Sequence, residues 1–176
     1  MRTISVHFSE NTTEKNRRRM QYLREHEKEL QPFSVTVSIA KKDDFLSSAN
    51  RPGSDLVWSS DEPKDRGGQG LGPSPLSYFL SSMGFCQFVH YAEHSMDRNL
   101  KIDSLEMKVE GKASMQRPRR FTEVAYEVRV TSPESDEAIK SLAKAAADDC
   151  YVTNTLKAAC KVSGLVFLNG RKLDEH

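Results

Sequence analysis

GPSPLSYFLSSMGFC, Gly72–Cys86, carries a proline-bracketed turn straight into a segment that is apolar on nearly every side. The apolar character continues through Phe88, Val89, Tyr91, Ala92 and Met96. The spacing predicts a helix over residues 76–97, started at Ser74 or Pro75, where proline is tolerated in a first turn. Its apolar residues are spread around the wheel, and a helix apolar on most sides is buried on most sides. One small sheet does not give that much cover, so the pattern points to a dimer in which two such helices meet. Ser81, Ser82 and Gly84 are small and let another element approach closely.

Strand patterns flank this helix. SVTVSIA, Ser34–Ala40, sets Val35, Val37 and Ile39 against Thr36 and Ser38, and SDLVWSS, Ser54–Ser60, reads as a second strand. The loop DEPKDRGGQGLGPSP that follows is too short to link domains and long enough to line a site. Beyond the helix, Leu105, Met107 and Val109 alternate with charged residues. So do Val124, Tyr126, Val128 and Val130. These predict two half-buried antiparallel strands joined by the basic loop MQRPRR. Helices are predicted over Ser135–Asp149 and over CYVTNTLKAAC, then a last strand, KVSGLVFLNG, with a turn at Asn169-Gly170. The order from Ser34 gives an α+β domain with a mainly antiparallel sheet. Residues 1–33 read as a separate, solvated helical extension that Pro32 ends, its stripe of Met20, Leu23 and Leu30 thin. Ile4, Val6 and Phe8 suggest a short strand before it. The domain proper is taken as 34–176.

With 176 residues, 29% charged and 37% hydrophobic, the chain fits one soluble globular domain with a sizeable core. A net charge of +1 gives no global field for nucleic acid. The clusters Arg17–Arg19 and Arg117, Arg119, Arg120 read more plainly as solvated faces. No apolar run reaches the roughly 18 residues of a membrane span, and the N-terminus lacks the apolar core of a signal peptide. Three cysteines do not make a secreted disulfide scaffold. A reducing cytoplasm is the expected setting, with no nucleic acid or membrane as partner.

Cys86, His90 and His94 share one helix face at i, i+4 and i+8. His94 lies about 12 Å along the axis from Cys86, too far for one ion to take all three, so no metal is expected. A Cys86–His90 hydrogen bond stays open and would favour thiolate. Cys150, in DDCYVTNTL, stands where one helix stops and the next begins. Free N–H groups there favour a thiolate, and Asp148 and Asp149 oppose it. Cys160 reads as a small buried hydrophobe. From the residues alone, inert buried thiols are the default and a redox pair is the competing reading.

GPSPLSYFLSSMGFC, RRFTEVAYEVRV and CYVTNTL together resemble the OsmC/Ohr family of osmotically inducible proteins and organic hydroperoxide reductases, over roughly Ser34–Phe167. The resemblance implies an intertwined homodimer, with antiparallel sheets wrapped around long central helices and active sites at the subunit interface. It implies Cys86 as the peroxidatic thiolate, oxidised to sulfenic acid by an organic hydroperoxide, and Cys150 as the resolving thiol. The disulfide would be reduced by an external dithiol, with no cofactor. Tyr78, Phe79, Phe85 and Phe88 would supply apolar walls. Two positions depart from the family: Ser77 stands where a Glu that orients an activating Arg is usual, and Tyr151 replaces the Pro after the second cysteine. Arg51 and Arg66 are candidates for the activating Arg. The departures keep a second function in play, a redox sensor or a binder of small apolar ligands without peroxidase activity.

Overall fold

The computed structural model describes Val6–Glu175, apart from the side chain of Lys161. The chain packs as two compact units, one holding the chain up to Lys28 together with everything from Ser82 onward, the other Glu29–Ser81.

The first unit is built on a four-stranded sheet in the order β4-β5-β6-β7: β4 Ser104–Ser114, β5 Arg120–Thr131, β6 Lys161–Leu168, β7 Arg171–Glu175. β4 and β5 pair antiparallel from Ser104↔Thr131, as their alternation predicts. β5 and β6 are parallel, Tyr126 facing Gly164, within a sheet that is otherwise antiparallel and so fits the mainly antiparallel expectation. The parallel pair comes from the crossover. Helices α3, Asp136–Asp149, and α4, Tyr151–Lys157, lie between β5 and β6, and a helical crossover returns the chain parallel. β7 was not legible as a strand; RKLDE turns back at Asn169-Gly170 and pairs antiparallel with β6. One face of the sheet is fully buried through Val124, Val128, Val130 and Val166, and α3 buries Ile139, Leu142, Ala143 and Ala146. Ser135 caps α3 by accepting the Ala138 N–H at 3.2 Å.

Helix α2, Pro75–Asp97, enters this unit at Ser82. A β-carbon at Gly84 would stand 3.7 Å from both Met107 and Val109, so β4 passes close over the small residue. α1, Glu10–Glu25, starts on a Ser9 cap and ends seven residues before Pro32, followed by a short 3-10 turn at Glu27–Glu29. It is not a free solvated arm. Its buried Asn16 donates to the Glu93 carbonyl oxygen at 2.8 Å, and Arg17 Nε donates to the Met96 carbonyl at 3.1 Å. Arg24 pairs with Asp97 at 2.6 Å, and Arg19 pairs with Glu93. Cations beside the last carbonyls of α2 suit its dipole, and Met20 is 6% exposed. Arg17–Arg19 are therefore engaged within the chain rather than forming a bare basic face. Ile4 lies outside the described residues. Val6 and Phe8 are not in a strand, although the Val6 N–H donates to the Asp103 carbonyl at 3.2 Å.

The second unit holds an antiparallel meander: β1 Ser38–Asp43, β2 Leu46–Asn50 and β3 Val57–Ser60. The strand expected over 34–40 thus starts later and forms a hairpin with β2. The loop after β3 folds around Asp61, whose 1% exposed carboxylate accepts N–H bonds from Glu62 (2.8 Å), Gln69 (2.9 Å) and Leu71 (3.2 Å). Gly68 is required there, since a β-carbon would fall 1.9 Å from the Glu62 carbonyl oxygen. Pro75–Ser81 begin α2 in this unit; the Ser77 N–H donates to Ser74 Oγ at 3.3 Å, and the Tyr78 hydroxyl donates to the Ser59 carbonyl at 2.6 Å. Phe33, Val35, Val37 and Ile39 alternate along an extended segment and are all exposed, 45–76%.

Candidate functional site

Two sulfurs far apart in sequence meet in the first unit. Cys86 is half-buried on α2, and Cys150 is fully buried between α3 and α4. Cys150 has extended backbone (φ −75°, ψ 107°), closes α3 and caps α4, its Sγ accepting the Thr153 N–H at 3.4 Å. The Cys86 thiol lies close enough to the next N–H groups of α4, those of Val152 and Tyr151, and to the Cys150 thiol, for each to act on its charge. The open donors of one helix start thus lie beside both cysteines.

Burial is the largest influence on Cys86 and pushes its thiol above the ordinary value; the Val152 N–H pulls down, the neighbouring Cys150 pushes up, and the Tyr151 N–H pulls down. The sum is upward. The carboxylates flanking Cys150 are engaged elsewhere: Asp148 pairs with Lys144, and Asp149 Oδ2 lies 2.8 Å from His94 Nε2. His90 does not turn to Cys86. Its Nδ1 lies 3.0 Å from Glu93 Oε2, and its ring tilts against Tyr151 at 6.2 Å. Glu93 in turn holds Arg19. Burial pushes its carboxyl up, and His90 and Arg19 together take it below the ordinary range. The two histidines and Cys86 on one helix face therefore have three different partners. Among the described residues no three His, Cys, Asp or Glu side chains converge as metal ligands.

Gln87 and Thr153 stand beside the cysteines without a sequence signal that names them, and Tyr126, legible as a strand residue, is not legible as part of the site. Gln87 is fully buried and donates through Nε2 to Thr153 Oγ1 at 3.0 Å. Burial pushes the Tyr126 hydroxyl up to about 12, Gln87 pulling it partly back. The available signal was an amide inside the otherwise apolar run MGFCQFV. Cys160 is half-buried between α4 and β6, and its N–H donates to the Leu156 carbonyl. In the second unit, Arg66 lies 3.8 Å from Glu62, and Arg51 is exposed.

Two cavities of the first unit lie apart from the thiols. One, about 290 Å³, opens on the outer sheet face among Lys108, Lys112, Glu123 and Glu127. The other, about 190 Å³, is walled by Val6, Phe8, Phe88, Tyr91 and Leu105. No helix among the described residues is long and apolar enough to cross a membrane.

The OsmC-like protein family model matches residues 67–163, which takes in α2, β4, β5, α3, α4 and both cysteines. The chain belongs to the OsmC-like family. Its fold is that of solved relatives. An OsmC-like protein from Mycoplasma pneumoniae superposes with a TM-score of 0.69 at 21% identity, covering 78% of this chain and 99% of that one. A Psychrobacter arcticus 273-4 protein, a candidate osmotic stress induced and detoxification response protein, gives 0.65 at 20% identity over 80% and 98%. An organic hydroperoxide resistance protein OsmC from Legionella pneumophila gives 0.59 at 12% identity over 78% and 99%. No curated protein sequence matches.

Proposed function

We propose that the chain is a thiol-dependent peroxidase that reduces organic hydroperoxides through Cys86 and Cys150. The observation that carries this is the nearness of the two thiols at the start of α4, where Cys150 caps the helix and acts on the charge of Cys86. Membership of the OsmC-like family adds to it, as does the Legionella relative's description as a hydroperoxide resistance protein. The Cys86 thiolate attacks the outer peroxide oxygen; the O–O bond breaks, the alkoxide leaves and takes up a proton as the alcohol, and Cys86 becomes sulfenic acid. Cys150 then attacks that sulfur, water leaves, and the disulfide forms. An external dithiol reduces it by exchange. Tyr151 and Val152 N–H groups stabilise the thiolate that begins the cycle. Phe85 and Val89, 67% and 54% exposed on the helix that carries Cys86, suit an alkyl group or a partner helix.

The working form in this reading is a homodimer in a reducing cytoplasm, acting in oxidative stress. Val35, Val37 and Ile39 are exposed along an extended segment, and contiguous apolar surface of this kind marks an interaction site. One observation favours the second function, a redox sensor or small apolar-ligand binder: burial raises the Cys86 thiol, and a scarce thiolate reacts slowly.

Turnover of cumene or tert-butyl hydroperoxide with dithiothreitol decides between them. Cys86→Ser is expected to abolish consumption. Cys150→Ser is expected to allow one turnover and leave a sulfenic acid on Cys86 that a 1,3-dione traps. Consumption no faster than in the double cysteine variant refutes the peroxidase.

A further inference from the structure

We infer that Gln87 is a positioning residue for the thiol pair: with Thr153 it fastens the first turn of α4 to the helix that carries Cys86. It thereby sets where Cys150 and two backbone donors stand relative to the Cys86 sulfur. The inference rests on the reading of Cys86 and Cys150 as a redox pair.

Cys86 and Gln87 are consecutive on α2, so their side chains leave the helix about 100° apart. Both nevertheless end on α4. Cys86 lies beside the N–H groups of Tyr151 and Val152, and Gln87 Nε2 meets Thr153 Oγ1 at 3.0 Å. Thr153 is the residue whose own N–H donates to Cys150 Sγ at 3.4 Å. A chain of contacts therefore runs from α2 through the Gln87 amide and Thr153 to the second sulfur, beside the nearness of the two thiols themselves. Its far side is fixed as well. Gln87 lies close enough to Tyr126 to act on its hydroxyl, and Tyr126 is 4% exposed on β5 against Gly164 of β6. One amide thus ties α2, α4 and the sheet together around the cysteines.

Packing alone does not call for an amide here. Gln87 and Thr153 are both 0% exposed, and the Gln87 Oε1 atom has no hydrogen-bond partner among the described residues. A buried acceptor left unpaired is costly, and an apolar side chain of the same length would avoid it. The amide nitrogen accounts for the residue, because it is the donor that the buried Thr153 Oγ1 accepts from.

The test uses the full-length reduced chain and reads alkylation of Cys86 by iodoacetamide against pH, with peptide mass spectrometry to separate the three cysteines. Thr153→Val removes the acceptor at nearly constant volume. It lets the α4 turn drift and weakens the N–H bonds that hold the Cys86 thiolate. The alkylation midpoint is expected to rise by about one pH unit, a tenfold loss of thiolate at neutral pH. Thr153→Ser, which keeps the hydroxyl, is expected to restore it. Gln87→Met is expected to move the midpoint the same way, and the double variant no further than either single change, because both cut one link. An unmoved midpoint in a folded Thr153→Val protein, or shifts that add in the double variant, overturns the inference. If Gln87→Met does not fold, the Val and Ser variants at 153 decide alone. A wild-type chain that leaves peroxide unconsumed defeats the peroxidase reading, and the alkylation midpoints still decide on Gln87.

Discussion

Gly164→Ala is the substitution that most directly tests how the sheet supports the thiols. Tyr126 and Gly164 face each other across the parallel β5–β6 pair. A β-carbon at 164 would stand 2.3 Å from Tyr126 Cζ, 2.6 Å from its hydroxyl oxygen and 2.7 Å from Cε2. Carbon atoms in contact sit about 3.5–4.0 Å apart, so the ring must retreat by more than an ångström. It has little room, being 4% exposed on a strand paired on both sides. Overpacking costs about 1–3 kcal/mol, and two struck ring carbons with the hydroxyl oxygen put this case at the upper end. In a chain of this size that is a fall in melting temperature of roughly 5–10 °C. Thermal unfolding followed by circular dichroism measures it. Adding Tyr126→Leu, which vacates the space, is expected to recover part of the loss. A Gly164→Ala protein that melts with wild type refutes the reasoning.

Three further outcomes follow from the geometry. Light scattering at micromolar concentration is expected to give twice the 19.9 kDa chain mass, and a monomer mass would contradict the dimer. Removing residues 1–29 takes away Asn16, Met20 and Arg24 from α2, so the melting temperature is expected to fall, whereas an unchanged melt would show α1 to be a passive appendage. Burial pushes the Asp61 carboxyl up, but the N–H groups of Leu71, Gln69, Glu62 and Gly70 outweigh it and hold the group below its ordinary range. A lowered folded value means stability that is present above the unfolded carboxylate range and lost as pH falls through the folded value. Asp61→Asn is therefore expected to flatten the acid limb of a stability–pH profile, and an identical limb would refute the assignment.

The long helix and the β4–β5 pair were legible because their apolar patterns are strong and their neighbours are close in sequence. The segment before β1 misled for the opposite reason. Val35 and Val37 alternate as a strand should, yet among the described residues no strand pairs with them, and pairing starts only at Ser38 with Asn50. β2, LSSAN, and β7, RKLDE, carry neither alternation nor β-branched residues, and tertiary pairing alone makes them strands. α1 looked solvated because its grip on α2 is polar: carbonyls and carboxylates of another helix cannot be seen in a hydrophobic stripe. At the site, each cysteine was visible singly, and their pairing came only through the family resemblance. Gln87 and Thr153 were hidden, since a buried polar residue is recognised by its partner and not by its type.

Cys150 begins α4 with a sulfur, and sulfur is a weak, long-reaching acceptor, as the 3.4 Å contact with Thr153 N–H reflects. Serine at that place would start the helix better. Stability alone therefore draws position 150 toward oxygen, away from the atom that redox chemistry needs. Cys150→Ser should melt no lower than wild type. The variant that stops the catalytic cycle halfway then leaves the architecture untouched, and whatever accumulates on Cys86 in it reports on chemistry rather than on damage to the fold.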